Sequence, residues 1–388
     1  MEDRAQLIAG RIIDNETIGL QVAFSSKGGV LRARLRDLSA GIGRLPAGLS
    51  NAITDVPGVL VGHATVVRDE PQVIRSGVTM VVPRDGGIWT DYAYAASHVF
   101  NGNGEMTGLA WVEESGMLGS PIGITNTYQV GMVRDFLAKE SVRVGVVEDF
   151  LLPVVGETDD GWLSDAAAFA LTEEDAATAL TTARGGVVAE GCVGGGTGMI
   201  CHEFKGGIGT SSRVVEIEGE SYVVGVLVQA NYGAREDFRI DGVPVGSLID
   251  SLRVPSPWDE PANGGSVIVV IATDAPLLPG QCKRLAQRAT AGVARVGGYG
   301  HDSSGDLFFA FATANHLEER PGKVRLVATL PNEAMDPLFH AVVEATEESI
   351  VNALFAAETT TGRFDRVAHA LPLDETTSIL ERYRVKTP

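Results

Sequence analysis

Cysteine is scarce in this chain, and its few copies are not spaced to bind a metal. The 388 residues contain only Cys192, Cys201 and Cys282, an odd number with no CxxC pair. Neither a disulfide framework nor a zinc site is therefore indicated. The seven histidines are scattered and form no HExxH pattern. We expect neither a metal nor any other cofactor.

Positive charge and long apolar runs are also in short supply. Lys and Arg total 31 against 50 Asp and Glu, so the formal net charge is −19. A nucleic-acid surface needs a basic patch, so we expect no nucleic-acid partner and favour small neutral or cationic ligands. No run approaches the roughly 18 apolar residues of a membrane helix. The N-terminus lacks the apolar core of a signal peptide, and we expect a cytoplasmic protein without a membrane partner.

The remaining composition is that of an ordinary globular protein. Hydrophobic residues make up 44% and charged residues 21% of the chain, with no internal repeat. Residues 1–30 look peripheral. No linker long enough to separate domains follows them. We predict an N-terminal extension, residues 1–30, and a single domain, residues 31–388.

The pattern of apolar residues predicts a mixture of helices and strands. Helices are expected over residues 163–184, 279–296 and 332–357, a hairpin over 213–218 and 222–230, and a strand over 325–330. Pro279 is suited to the first position of its helix. The combination indicates helices packed outside a pair of antiparallel or mixed sheets.

The most informative position in the sequence is a serine at the start of a predicted buried strand. Gly264 and Gly265 precede Ser266, and residues 267–271 are five β-branched apolar residues. Such a run, bounded by turn residues, is typical of a buried strand. Residues 255–265 contain three prolines and two glycines, which is typical of a loop. Ser266 is therefore expected to open a core strand.

This position has chemical meaning. A serine hydroxyl is a weak nucleophile unless a base lies beside it. Cleavage between Gly265 and Ser266 would give Ser266 a free α-amine, whose pKa of about 7.7–8.0 suits a base at neutral pH. Gly265 also lets the hydroxyl approach the preceding carbonyl. The alternative, an ordinary Gly-Gly-Ser turn, is favoured by these residues taken alone.

Other polar residues near strand ends are candidates for a site. One carboxylate of the segment from Glu157 to Asp160 could bind a cationic group, or these acids could favour a helix N-terminus. Asn231 could donate to an oxyanion or be a turn residue. Ser304 and Asp306 share a face in an extended segment and could form a relay beside a nucleophile, or a capping turn.

A glycine-rich passage, residues 191–209, superficially suggests phosphate binding. Its glycines Gly194, Gly195, Gly196 and Gly198 do not form GxGxxG, and no GK[ST] ending follows. Close backbone packing or lining of a pocket is the favoured interpretation.

Several segments together resemble the self-processing serine aminopeptidases, the family of the L-aminopeptidase/D-esterase and the β-peptidyl aminopeptidases. The segments are residues 51–59, 194–199, 204–213, 226–231, 241–246, 265–266, 272–277 and 304–306. They occur in the right order, and the resemblance spans roughly residues 32–375.

The resemblance implies a fold and an activity. The fold would be a four-layer αββα sandwich, similar to N-terminal-nucleophile hydrolases but differently connected. Cleavage before Ser266 would divide the domain into segments 31–265 and 266–388, which stay together, so that the products of the whole chain are residues 1–265 and 266–388. The cut chains would form a homotetramer. The enzyme would release N-terminal residues from peptides, amides or esters without a metal.

The resemblance also implies a role for each candidate residue. Ser266 matches the nucleophile, and Ser304 and Asp306 match its supporting pair. Asn231 matches the oxyanion donor. Glu157 matches the carboxylate that holds the substrate's amino group.

One position departs from the family pattern. Relatives typically have a tyrosine two residues after the matching glutamate, where this chain has Asp159. An ionised aspartate only accepts hydrogen bonds, so Asp159 cannot donate to an oxyanion. It is expected to attract basic substrates or to weaken catalysis.

Two alternatives remain open beside the aminopeptidase. An acyltransferase of the ornithine acetyltransferase type would use a threonine at the cleavage point, against which Ser266 argues. An uncleaved, non-catalytic homologue would explain Asp159 as a sign of decay. The joint presence of the other candidate residues argues against decay.

Overall fold

The structure is a computed structural model, and it describes residues 32–38, 41–145, 150–258, 264–318 and 323–384. The predicted extension, residues 1–30, lies outside the described residues. The described chain from Arg32 onwards belongs to one compact unit.

Eight α-helices and fourteen strands lie within the described ranges. The helices are α1 Leu35–Leu38, α2 Leu109–Ser115, α3 Val130–Arg143, α4 Glu173–Thr181, α5 Val245–Leu248, α6 Pro279–Val296, α7 Asp336–Ala356 and α8 Leu373–Arg384. The strands are β1 Leu60–Arg68, β2 Ile74–Val82, β3 Asp91–Gly102, β4 Met117–Leu118, β5 Ile122–Thr125, β6 Val154–Glu157, β7 Ile200–Cys201, β8 Phe204–Lys205, β9 Gly207–Ile217, β10 Glu220–Tyr232, β11 Gly264–Thr273, β12 Ser303–Glu318, β13 Thr360–Thr361 and β14 Val367–Ala368. None of these described helices has the length and apolar character that a membrane span requires.

Two sheets form the centre of the molecule. The larger has the strand order β4-β3-β12-β11-β10-β9, and the smaller has the order β1-β2-β5-β6. Neighbouring strands are antiparallel except for the parallel pairs β11–β12 and β5–β6. The middle strands of the larger sheet, β11 and β12, thus lie between strands that come earlier in the chain.

Helices cover the outer face of each sheet. Helices α6 and α7 pack on the six-stranded sheet, and α3 and α4 pack on the four-stranded sheet. The layers are therefore helix, sheet, sheet and helix, the αββα arrangement that the sequence predicts.

The apolar core follows these layers because side chains of a strand alternate between its two faces. In β11, Val267 and Val269 belong to the cluster beneath α6 and α7. Ile268 and Val270 belong to the cluster between the sheets. Both faces of β11 are buried, which explains its uninterrupted apolar run.

Helix α6 has the bounds that the sequence predicts. Pro279 occupies its first turn, and the side chain of Gln281 accepts a hydrogen bond from the Leu278 N–H at 2.9 Å. The helix ends at Gly297, whose φ of 106° suits a glycine C-cap. Local signals at both ends agree with the packing, so the prediction is confirmed.

Two predicted elements are wrong. Only Glu173–Thr181 of the helix predicted over 163–184 is α-helical, because Thr172 caps a new helix there through a reciprocal pair with Asp175. The strand predicted over 325–330 does not form. Ala328 bonds through its N–H and its carbonyl to the side-chain amide of Asn315, and the Leu330 N–H donates to the Pro276 carbonyl, so the segment joins no sheet of the described residues. Leu326 is 97% exposed, which shows that β-propensity without a partner strand makes no sheet.

Candidate active site

Ser266 lies near the start of β11, where three strands bring their ends together. It is opposite Asn231 of β10 on one side and Gly305 of β12 on the other. The side chain is 5% exposed and lines a cavity of about 570 Å³. The predicted position at the opening of a core strand is correct, although the strand already begins at Gly264.

The backbone before Ser266 can be formed only by glycine without strain. Gly265 has a φ of 140°, which side chains disfavour. A Cβ atom there would lie 2.5 Å from the carbonyl oxygen of Asn231 and 2.5 Å from the Cα of Tyr232. The strand pairing thus leaves room for the Gly265 backbone and for nothing larger.

Ser304 and Asp306 form a buried pair on the neighbouring strand. The Ser304 hydroxyl donates to Asp306 Oδ1 at 2.6 Å, as their shared face predicts. Gly305 is the residue opposite Ser266, so alternation turns the pair away from the cavity. The carboxylate accepts a hydrogen bond from the Val267 N–H, and burial raises the pKa of Asp306. The pair therefore lies next to the backbone of β11, on the face opposite the Ser266 side chain.

Glu157, the last residue of β6, points its carboxylate into a polar niche at the cavity. Its Oε1 accepts a hydrogen bond from the Glu105 N–H at 2.9 Å, and its Oε2 accepts one from the Thr127 hydroxyl. Burial raises the pKa of Glu157, these two bonds lower it, and the Asp159 charge raises it. Glu157 lines the same cavity as Ser266, which suits a carboxylate that binds a substrate amine.

The side-chain amide of Asn231 is held in one orientation. Its Oδ1 accepts a hydrogen bond from the Ile200 N–H at 2.8 Å. Its Nδ2 donates to the carbonyl oxygen of Asp159 at 3.0 Å. An amide nitrogen carries two protons, so one N–H remains for a group in the cavity. This geometry suits an oxyanion donor.

Asp159 is an exposed residue at the cavity wall. Its carboxylate accepts a hydrogen bond from the Gly161 N–H at 3.1 Å, within its own turn. Its carbonyl, rather than its carboxylate, holds Asn231. The structure thus places Glu157, Asp159, Asn231, Gly265 and Ser266 along one cavity, whereas Ser304 and Asp306 lie on the other face of the larger sheet.

The cavity is also lined by aromatic side chains, which the sequence analysis did not predict. Trp162 and Trp258 stack with ring centres 5.3 Å apart and planes 9° from parallel. Tyr128 lines the cavity too and stacks on Phe169 at 5.8 Å. These residues are far apart in the chain, and no spacing or motif marks them as neighbours. They add an apolar wall to an otherwise polar site.

The glycine-rich passage packs closely, as predicted. Gly194–Gly198 form a buried 3₁₀ turn. A Cβ on Gly195 would lie 2.1 Å from Gln229 Oε1. Gly198 lines the cavity, so the turn forms part of the site wall.

These features together define a class of protein. A serine at the head of a central strand faces an amide donor, and a buried carboxylate shares its cavity. On an αββα sandwich, this arrangement is that of a hydrolase that forms acyl-enzymes on a serine.

The chain belongs to peptidase family S58, whose family model matches residues 51–368. It is 45% identical over 368 residues to beta-peptidyl aminopeptidase BapA of Sphingosinicella microcystinivorans, covering 90% of this chain and 92% of that protein. The structure of a beta-aminopeptidase from Burkholderia sp. is 46% identical, with a TM-score of 0.85 over 90% of this chain and 99% of that one.

A third relative bears on the fold. The L-aminopeptidase D-ala-esterase/amidase of Ochrobactrum anthropi is 42% identical, with a TM-score of 0.83 over 90% of this chain and 99% of that one. It is described as a prototype of the serine aminopeptidases and as a new variant of the Ntn hydrolase fold. The family, the Ntn-like fold and the class of serine aminopeptidase predicted from the sequence are therefore confirmed.

Proposed function

We propose that the protein cuts its own chain between Gly265 and Ser266. The mature enzyme then releases N-terminal residues from peptides, amides or esters. The observation that carries the proposal is the single cavity that Ser266, Asn231 and Glu157 line together. A nucleophile, an oxyanion donor and an amine-binding carboxylate are the groups that this reaction requires.

Self-cleavage begins with attack of the Ser266 hydroxyl on the Gly265 carbonyl carbon. A C–O bond forms, the C–N bond breaks, and the nitrogen takes the hydroxyl proton. Water then hydrolyses the ester, leaving a carboxylate on Gly265 and a free α-amine on Ser266. The positive φ of Gly265 and the absence of a side chain support this step, because they leave the carbonyl open to approach.

Turnover uses the new α-amine as the general base. The amine takes the hydroxyl proton while the oxygen attacks the substrate carbonyl, and the Nδ2 of Asn231 stabilises the oxyanion. The proton passes to the departing group, and water later releases the acyl group. Ser304 and Asp306 approach β11 from the face opposite the cavity, from which they would orient the amine.

Glu157 selects substrates with a free amino group. Its carboxylate is buried and already accepts two hydrogen bonds, so it is held in place before a substrate binds. Because relatives are named beta-peptidyl aminopeptidase and beta-aminopeptidase, we include N-terminal β-amino acids among the proposed substrates. The proposed setting is the cytoplasm, and the proposed assembly is a homotetramer of cut chains.

Intact mass and activity test the proposal together. In proportion to length, the 40.8 kDa chain should give segments of about 28 and about 13 kDa. Ser266→Ala should leave one full-length chain and no activity. Wild-type enzyme should hydrolyse aminoacyl and β-aminoacyl p-nitroanilides but not their N-acetyl forms. A wild-type protein that stays at full length and hydrolyses none of them would contradict the proposal.

A further inference from the structure

Lys205 places an ammonium group in the interior beside the active site. The residue is 0% exposed. Its Nζ donates to the carbonyl oxygens of Met199, Gly206 and Gly196 at 2.8, 2.9 and 3.3 Å. Burying an ammonium is costly unless the charge is compensated, and burial lowers the pKa of Lys205, which the Cys192 side chain raises in part. The three carbonyl acceptors match the three N–H groups of an ammonium and therefore favour the charged form.

One of these carbonyls connects Lys205 to the candidate oxyanion donor. The Met199 carbonyl and the Ile200 N–H belong to the same peptide group. That N–H donates to Oδ1 of Asn231 at 2.8 Å, and Nδ2 of the same amide reaches the cavity. The ammonium, the peptide group and the side-chain amide thus form one directed chain of hydrogen bonds that ends at the Asn231 amide, in the wall of the cavity that Ser266 also lines.

We propose that Lys205 is a positioning residue for the oxyanion donor. Its charge orients and polarises the Met199–Ile200 peptide group, which in turn fixes the Asn231 amide and strengthens its free N–H as a donor. Hydrogen bonds in such chains reinforce one another, and the effect is larger where water is excluded. The inference rests on the proposed function, because it requires that Asn231 meets an oxyanion.

The charge should matter most after the substrate has bound. A substrate carbonyl is neutral, whereas the oxyanion of the transition state carries a full negative charge. A group that acts through the oxyanion donor therefore changes kcat and leaves KM nearly unchanged. A residue that merely supports the fold would instead lower stability or change both constants.

The first experiment removes the charge from fully processed enzyme. Lys205→Met should lower kcat about 10- to 100-fold, short of the ~10²–10³ typical for loss of an oxyanion donor, with KM within about twofold. An amino-substituted boronic acid, whose serine adduct mimics the oxyanion, should bind more weakly by the same factor. Lys205→Gln, which retains a neutral donor, should fall between Lys205→Met and wild type.

Arg84→Met is the matched control. Arg84 is also buried, and it donates to the carbonyls of Thr313 and Asn315 at 3.0 Å each. These residues lie in the far half of β12, away from the cavity. Unlike Lys205, Arg84 also pairs with a carboxylate, that of Asp91, at 3.4 Å. The variant should lose stability because Asp91 is left without this partner, and its kcat should stay within about twofold of wild type.

A double-mutant cycle tests whether Lys205 acts through Asn231. In an Asn231→Ala background, Lys205→Met should cost little further kcat, because the donor is already absent. Full additivity, an unchanged kcat in Lys205→Met, or an effect on KM alone would overturn the inference. Absence of any wild-type activity would instead contradict the proposed function.

A wild-type measurement decides the matter if the Lys205 variants do not fold or process. A crystal structure of the processed enzyme with the boronic acid should show Asn231 Nδ2 bonded to a boronate oxygen. Oδ1 should remain on the Ile200 N–H, and Lys205 Nζ on the Met199 carbonyl. A flipped amide, or a boronate oxygen held by other groups alone, would overturn the inference.

Discussion

Asn231 and Ser266 lie directly opposite each other on the antiparallel strands β10 and β11. Directly opposed residues of a sheet have their side chains on the same face, which brings the proposed oxyanion donor next to the proposed nucleophile. A register slip of one residue would move Ser266 to the helix-covered face. The active-site geometry is therefore set by strand pairing, which fixes it more rigidly than a loop would.

Gly265→Ala should block self-cleavage. The new Cβ would be 2.5 Å from the Asn231 carbonyl oxygen, and alanine is strained at a φ of 140°. Gly264→Ala is the control, because the atom nearest to its Cβ, at 2.4 Å, would be the Ser303 hydroxyl oxygen, which ends a side chain that can rotate away. Gel electrophoresis over time measures both. Processing of Gly265→Ala at the wild-type rate would contradict the strained geometry.

Asp306→Asn should shift the pH profile of the processed enzyme. A carboxylate near the α-amine of Ser266 favours its protonated form, so removing the charge should lower the pKa of the amine. The acid limb of kcat/KM should then move to lower pH, with a lower plateau. Asp306→Glu should retain the wild-type limb. If the acid limb of Asp306→Asn were unchanged, the Asp306 carboxylate would have no effect on the pKa of the Ser266 α-amine.

Glu157→Gln should lower kcat/KM for free-amine substrates by about a hundredfold, because it leaves a substrate ammonium without its buried partner. Burial raises the pKa of Glu157, so below that pKa the wild-type residue is protonated and binds ammonium poorly. The kcat/KM of the wild type should therefore decrease as the pH is lowered, and this decrease should begin above the ordinary pKa of a glutamate.

The control for Glu157 is Glu105→Gln. Glu105 contacts Glu157 through its backbone N–H, and its own side chain is exposed. Its activity should stay close to wild type. Equal hydrolysis of N-acetylated and free-amine substrates by the native enzyme would rule out an amine-binding role for Glu157.

Asp159→Tyr should hold or raise kcat and lower the preference for cationic substrates. The carbonyl of Asp159 holds Asn231, and a substitution of the side chain keeps that bond. A tyrosine hydroxyl would add a donor, whereas the exposed carboxylate only accepts hydrogen bonds. Relative kcat/KM for lysyl and leucyl p-nitroanilides measures the preference. An unchanged ratio would show that the Asp159 charge does not act on substrates.

Asp160→Asn should stabilise the protein at neutral and alkaline pH. Burial raises the pKa of Asp160 from 3.8 to about 7, and the nearby Ser76 and Asn126 side chains offset this only in part. Between these values the folded state binds more protons than the unfolded state, so stability falls as pH rises. The penalty reaches at most about 4 kcal/mol above pH 7.

Urea unfolding of the uncleaved Ser266→Ala chain measures this effect at several pH values. Asp160→Asn should flatten the decline between about pH 4 and pH 7. Asp165→Asn, at a partly exposed position near Arg363, is the control and should leave the decline unchanged. Parallel curves for the Asp160 variant and its parent would contradict the prediction.

The sequence predicts best where local signals and packing agree. Helix α6 has Pro279 at its start and Gly297 at its end, so its bounds follow from the chain alone. The helix predicted over 163–184 is wrong in its bounds. Its alanines favour a helix but do not fix where it begins, and the helix begins only after the N-cap residue Thr172. The strand predicted over 325–330 fails because pairing depends on a neighbour that the sequence does not reveal.

The same division applies to the site. The chemistry of the residues and the resemblance predict Ser266, Glu157 and Asn231 as site residues, and the structure places all three at one cavity. The connection from Lys205 to Asn231 runs through a backbone peptide group, and backbone orientation leaves no pattern in a sequence. The stacked Trp162 and Trp258 lie 96 positions apart. Only the folded chain makes them neighbours.

The position of β11 and β12 between earlier strands has a consequence for the lifetime of the mature enzyme. In a chain cut at Gly265–Ser266, these two strands belong to the small segment and are held on both sides by the large one. The assembly loses no contact when the bond breaks, but unfolding now yields two molecules. Refolding then depends on concentration and requires the small segment to insert into the middle of a sheet. An enzyme that cuts itself would thus fold as one chain only once, and its persistence afterwards would be governed by how slowly the sheet opens.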